Sequence, residues 1–137
     1  MRFAYLSSAL VLLAAPLRAA DSGVVEKMVL STSATAIGEP LVLSLAAPQV
    51  DVSVYEIAPG TVLPEHRHMY PRYGYVLSGK LNVTYTATGR SDLYGPGDFV
   101  IEAVGQWHTG KAEGATGVKL LVIDQVERGQ KNIEVRK

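Results

Sequence analysis

The stretch GTVLPEHRHMYPRYGYVLSGKLNVTYTATGRSDLYGPGDFVIEAVGQWH, residues 60–108, alternates short apolar runs with glycine-bearing turns. Residues 73–85 are rich in Tyr, Val, Leu and Thr, and Gly79 with Lys80 predicts a tight turn inside them. Residues 86–89 predict a second turn. Gly95, Pro96, Gly97 and Asp98 form a strong turn signal, and Phe99, Val100 and Ile101 a short buried strand after it. Gly105 precedes a further strand near His108. No segment carries a sustained period of 3.6, so the elements are strands.

The same texture continues outward. Upstream, Val50, Val52 and Val54 alternate with Asp51, Ser53 and Tyr55, a period of two. Leu41 to Leu45 is an apolar run that breaks at Pro48. Thr35 to Pro40 is a turn-like link, and Glu26 to Thr32, with Met28, Val29 and Leu30, is a strand candidate. Downstream, Gly110 to Gly117 reads as a loop and Val118 to Ile123 as the last apolar strand. The polar tail, Glu127 to Lys137, is either mobile or paired along a sheet edge. Many short strands with Gly/Pro turns predict an all-β sandwich or barrel.

The chain has 137 residues and no cysteine. That length suits one domain. Without cysteine, no disulfide staples the fold and any metal takes nitrogen and oxygen ligands. The N-terminus reads differently from the rest. Arg2, the apolar run Ala9 to Ala15, Pro16 and the small residues Ala19 and Ala20 follow the order of a secretory signal peptide. The expected division is a signal peptide over residues 1–20 and a single β domain over 21–137, in a periplasmic or secreted protein. The apolar run is too short for a membrane span. Removing Arg2 and Arg18 takes Lys+Arg from 13 to 11 against 13 Asp+Glu, a net charge of −2. No basic run interleaved with aromatics is present, which argues against nucleic acid as a partner.

The chain has three histidines. His66 and His68 are two apart, so on a strand both rings share a face and Arg67 points away. Two adjacent imidazoles suit one metal at about 2.0–2.1 Å from each nitrogen. The pair alone also reads as two inward rings with ordinary hydrogen bonds, and His108 alone as a satisfied core residue.

Their surroundings resemble a family. Gly60, five residues, His66 and His68, with Gly79 later, is similar to the first motif of the cupins. Gly97 and Asp98, then Gly105 and His108 at matching spacing, are similar to the second. The resemblance spans residues 60–108. It implies a cupin jelly-roll β-barrel with a divalent transition metal (Fe, Zn, Cu, Ni or Mn) held by His66, His68 and His108. It also implies a small-molecule ligand and, as a family habit, a homodimer.

Three positions depart from the motifs. The motif carboxylate falls at position 72, where this chain has Arg72, and a guanidinium has no lone pair to donate. Ala103 replaces the proline of the second motif, and Ala112 a frequent asparagine. Four ligands then become three, which leaves open coordination positions. Cysteine dioxygenase and its relatives are cupins with three histidines and an arginine that grips a substrate carboxylate. By that resemblance Arg72 and Tyr73 are substrate contacts in a metal-dependent oxygenase acting on a small anionic substrate. The competing expectation is a non-catalytic module holding a metal or small ligand in a degenerate site. Glu56 and Glu102 are carboxylates that could substitute as ligands, with a solvated strand end the favoured reading of each; Tyr70 and Tyr75 read as packing, and Trp107 as packing or interface on the face away from His108.

Overall fold

The computed structural model describes residues 23–137; the segment read as a signal peptide lies outside them. Nine strands follow in order: β1 (Pro48–Ile57), β2 (His66–Arg67), β3 (Arg72–Ser78), β4 (Lys80–Tyr85), β5 (Ser91–Tyr94), β6 (Phe99–Ile101), β7 (His108–Glu113), β8 (Val118–Glu127) and β9 (Glu134–Val135). They form two antiparallel sheets, ordered β1-β8-β3-β6 and β5-β4-β7-β2-β9. The described residues contain no helix, and so none long and apolar enough to cross a membrane. The fold is the jelly roll of the cupins, but its two sheets stay separate, so the expected barrel is an open one.

Consecutive strands switch sheets, except β4 and β5, which pair with each other, and turn chemistry makes this possible. The turn at Gly79 joins β3 to β4, which lie in different sheets, so it is a corner between layers and not a hairpin. Gly79 has φ +79°, and a Cβ there would sit 2.2 Å from the Gly117 carbonyl oxygen. Only glycine satisfies both conditions.

Register stacks the interior in three layers. At one end Val76 lies opposite Leu120, and Leu81 opposite Ala112. With Ile57 and Val118 these side chains form the packed core, where each buried Val or Leu contributes about 1.5–3 kcal/mol. In the middle layer Gly74 lies opposite Val122 and Gly110 opposite Val83. At the far end Arg72 lies opposite Asp124, and His108 opposite both Tyr85 and His66. The polar layer therefore rests on a layer thinned by two glycines, itself resting on a dry core.

Alternation along β1 predicts a strand but not its buried face. Val50, Val52 and Val54 point outward and are more than half exposed, while Tyr55 and Ile57 turn inward. On the same outer face, Val52 and Tyr73 flank Ile123, and Val54 and Tyr75 flank Leu121.

Three local expectations change. Glu26 to Thr32 is not a strand, and the apolar run Leu41 to Leu45 forms none either. Their apolar side chains, such as Met28 and Val42, are exposed, and a β-prone run without a partner ladder gains little from being extended. Pro48 opens β1 instead of breaking a run; β1 is an edge strand, where a first residue without an N–H is tolerated. β7 extends to Glu113, so the loop expected from Gly110 shrinks to residues 114–117. The tail follows the second of its two readings, with β9 pairing along β2.

Candidate metal centre

Pairing of β2 with β7 brings His66 directly opposite His108. His68 lies two residues on, on the same side, where it bridges to Val104 and its carbonyl accepts from Gly105 N at 2.7 Å. The ring centroids lie 4.4–5.0 Å apart. One nitrogen from each ring falls within 4.8 Å of the others, and all three residues are buried.

Each ring is oriented by its Nδ1. His66 Nδ1 meets the Pro64 carbonyl at 2.7 Å, His68 Nδ1 the Asn132 carbonyl at 2.5 Å, and His108 Nδ1 the Gln106 carbonyl at 2.9 Å. A carbonyl only accepts, so each Nδ1 carries the hydrogen and each Nε2 presents a lone pair. Three lone pairs thus face one buried space. His68 Nε2 and His108 Nε2 find no hydrogen-bond partner there.

A fourth donor enters the same space. Glu102 is buried, and its Oε2 lies 2.7 Å from His68 Nε2 and 3.6 Å from His108 Nε2. That oxygen too lacks an aligned hydrogen bond. Lone pairs at such distances repel one another unless a cation or a proton lies between them. The donor set of three imidazoles and one carboxylate fits a divalent transition metal.

Glu102 is thus not the solvated strand end that its sequence position favours but a buried carboxylate beside His68 and His108, as the alternative of a substitute donor requires. Glu102 follows β6, and its N–H donates to the Arg72 carbonyl at 3.0 Å, so the two are cross-strand neighbours. A carboxylate, absent at position 72, thus stands at the end of the strand beside it.

Arg72 is buried and turned to Asp124. Its Nε and Nη2 donate to the two carboxylate oxygens, each at 2.8 Å, a bidentate pair. A carboxylate on a ligand would have to compete with Asp124 for this guanidinium. Asn132, also buried, ties these groups together. Its Nδ2 donates to Asp124 Oδ1 at 2.7 Å and to the Tyr70 carbonyl at 3.0 Å. Its Oδ1 accepts from Tyr70 N–H at 2.8 Å, while its own carbonyl orients His68. Outside the sheet, Trp107 lies between Arg67 and Arg136, on the face away from His108 as expected.

The electrostatics follow from burial and from Glu102. Burial pulls the His66 imidazole below its ordinary range, so it is neutral at pH 7. Burial also pulls on His108, but the Glu102 carboxylate beside it more than offsets this and raises its pKa. Burial would lift Glu102; His108 and His68 outweigh that and hold the carboxyl well below the usual range. Burial opposes the Arg72 charge, and Asp124 reverses the effect and raises its pKa.

The other singled-out residues scatter. Tyr73 follows Arg72 on β3, so its ring takes the opposite face and lies 6.4 Å from Phe99 in an outer groove. Tyr75 lies beside it there. Glu56 is on the surface and pairs with Lys119 at 2.9 Å. The tyrosines near the centre are two that the sequence did not flag. Tyr85 is buried with its ring 5.4 Å from His108, and burial raises its phenol. Tyr55 lies under the Arg72 guanidinium at 5.6 Å. Glu102 did leave a signal, as the only charge in the apolar run 99–104 at an inward-facing step. Asp124 and Asn132 left none, because their roles depend on long-range pairing.

A cavity of about 110 Å³ opens from the centre into the middle layer. His66, His108, Glu102 and Arg72 are among its lining, with Tyr55 and a mostly apolar remainder that includes Leu63, Leu81, Leu120, Gly74 and Gly110.

Comparison with known proteins agrees with this architecture. A sequence profile of the cupin domain matches residues 53–124, just over half the chain. Among solved structures, the polyketide cyclase RemF from Streptomyces resistomycificus superposes with a TM-score of 0.55 at 23% identity, over 67% of this chain and 63% of that one. The DMSP lyase DddQ from Ruegeria pomeroyi gives 0.55 at 19%, over 63% and 42%. The oxalate decarboxylase from Bacillus subtilis gives 0.55 at 22%, over 65% and 24%. The chain thus spans less than two thirds of each of these proteins, and at such identities the likeness is one of fold. No curated protein matches the chain. Profile, topology and histidine placement agree, and the chain belongs to the cupin family.

Proposed function

We propose that this protein is a metal-dependent cupin in which His66, His68, His108 and Glu102 hold one divalent transition metal and present it to a small molecule in the adjoining cavity. One observation carries this reading: three buried imidazoles cluster with a carboxylate oxygen beside two of them, and His68 Nε2, His108 Nε2 and Glu102 Oε2 have no hydrogen-bond partner. The metal would supply open coordination positions where a substrate and dioxygen can be brought together.

The chain's own groups favour oxygenase chemistry over hydrolysis or elimination. Those need a free acid or base beside the metal. Here the charged groups and imidazoles lining the cavity are engaged, His66, His108 and Glu102 as donors and Arg72 by Asp124, which leaves the Tyr55 phenol as the one other ionisable group. A cavity without a spare carboxylate or imidazole suits a reaction carried by the metal itself. Arg72, held by Asp124, shapes the cavity wall, and an anionic group on the substrate would be drawn to the metal.

Export is part of the same proposal. Residues 1–20 would be removed, and N-terminal sequencing of protein recovered from the extracytoplasmic fraction tests this. The function is tested by elemental analysis of protein purified without chelator or affinity nickel, followed by oxygen-uptake assays with small carboxylates. About one equivalent of iron, with uptake lost in His66→Ala, supports the oxygenase reading. One equivalent of zinc or another metal without uptake replaces it with a binding module. No metal overturns both.

A further inference from the structure

We infer that the glycine layer beneath the metal centre selects the ligand: a small monoanion whose charged end binds the metal and whose apolar body, about four heavy atoms long, fills the space left by Gly74 and Gly110. The inference rests on the metal centre proposed above.

Three observations carry it. First, the charge: a divalent ion held by three neutral imidazoles and one carboxylate keeps a net charge of +1, which a single anionic donor neutralises. The nearest other cation, Arg72, is already neutralised by Asp124, so one anionic group is matched and two are not. Second, the walls: away from the centre the lining is mostly Ile57, Leu63, Leu81, Val83, Leu120 and Val122, and the one phenol, Tyr55, lies under the Arg72 guanidinium. A polar body there would forfeit its hydrogen bonds to water. Third, the size: an engineered apolar cavity of about 150 Å³ accepts benzene, which gives about 25 Å³ per heavy atom. The cavity of about 110 Å³ then holds about four.

The two glycines make that room by register. Gly74 and Gly110 occupy inward positions of β3 and β7 where the layer below carries Val76 and Ala112. A Cβ on Gly110 would lie 3.1 Å from Leu63 Cδ1 and 3.5 Å from Leu81 Cδ1, at the ends of flexible side chains. The position thus tolerates a methyl group at the expense of the cavity. A Cβ on Gly74 would lie 3.0 Å from Val100 Cγ1 and fits less easily.

The test uses cobalt(II)-loaded full-length protein and unbranched carboxylates from formate to heptanoate, with affinity read from the visible spectrum of the bound cobalt. Each added methylene should tighten binding about fourfold until the body reaches about four carbons, after which the gain stops. Gly110→Ala should move the stopping point to shorter chains and Leu63→Ala to longer ones, each with cobalt still at one equivalent. A series flat in chain length with cobalt bound, or one whose stopping point neither variant moves, overturns the inference and leaves the metal centre standing. Failure of the wild-type protein to bind cobalt overturns the metal centre and the inference with it.

Discussion

Replacing Glu102 with glutamine separates a metal ligand from a bystander. The substitution keeps the shape and removes the charge from a carboxylate whose Oε2 lies 2.7 Å from His68 Nε2. Groups that only orient a metal's ligands cost about 10–100-fold in affinity when lost. A donor on the metal itself must cost more, so Glu102→Gln should weaken binding by over about 100-fold, or about 2.7 kcal/mol. The metal-free protein should respond much less. It loses a charge-assisted contact of about 1.5–3 kcal/mol, but is relieved of a buried charge. Competition against a chromophoric chelator gives the affinity, and thermal melts with and without metal give the stability. A loss of less than about tenfold would refute the assignment and return the centre to three histidines. A stronger form moves the carboxylate back: Arg72→Glu, Glu102→Ala and Asp124→Asn together should recover part of the affinity that Glu102→Ala alone removes.

Three further outcomes are expected. Protons compete with the metal for His108, whose pKa is raised, whereas His66 is already neutral at pH 7. Affinity should therefore fall as pH drops through the His108 pKa, above 6.5, by about tenfold per pH unit. In the metal-free protein the sign for His108 is opposite: its contribution to stability is complete below about pH 6.5 and lost as pH rises through the raised value. Chelator competition and urea melts between pH 5.5 and 9 check the two trends. Asn132→Ala leaves the Tyr70 N–H and carbonyl without their partner and should cost about 2 kcal/mol in urea unfolding, with metal affinity down by about tenfold. Gly79→Ala places a Cβ 2.2 Å from a backbone oxygen at φ +79° and should cost more than about 3 kcal/mol or prevent folding, as read by circular dichroism and urea melts.

Local chemistry made much of this legible in sequence. The turns at Gly79 and Gly97 and the period of two in β1 follow from glycine's freedom and the pleat, and they predict strands in a sandwich or barrel; the jelly roll follows from the resemblance of the histidine motifs. His66 and His68 share a face by simple alternation. What stayed hidden depends on which strand lies beside which. Glu102 reads only as a possible substitute donor, with a strand-end charge favoured, because nothing local says that β6 lies against β3. Tyr73 seemed a neighbour of the site because it follows Arg72, yet adjacency on a strand means opposite faces. Asp124 and Asn132 meet Arg72 and His68 only through pairing across more than 50 residues.

The cross-strand placement of Arg72 and Glu102 also bears on how such chains are recognised and how they can change. A search that demands an acid in the first motif would file this chain among cupins that have lost their metal. The useful criterion is a carboxylate in either of two columns that share one space. Positions 72, 102 and 124 then behave as a single word, spelled Arg, Glu, Asp here. Altering one letter alone strands a buried charge, so descendants should change these letters together.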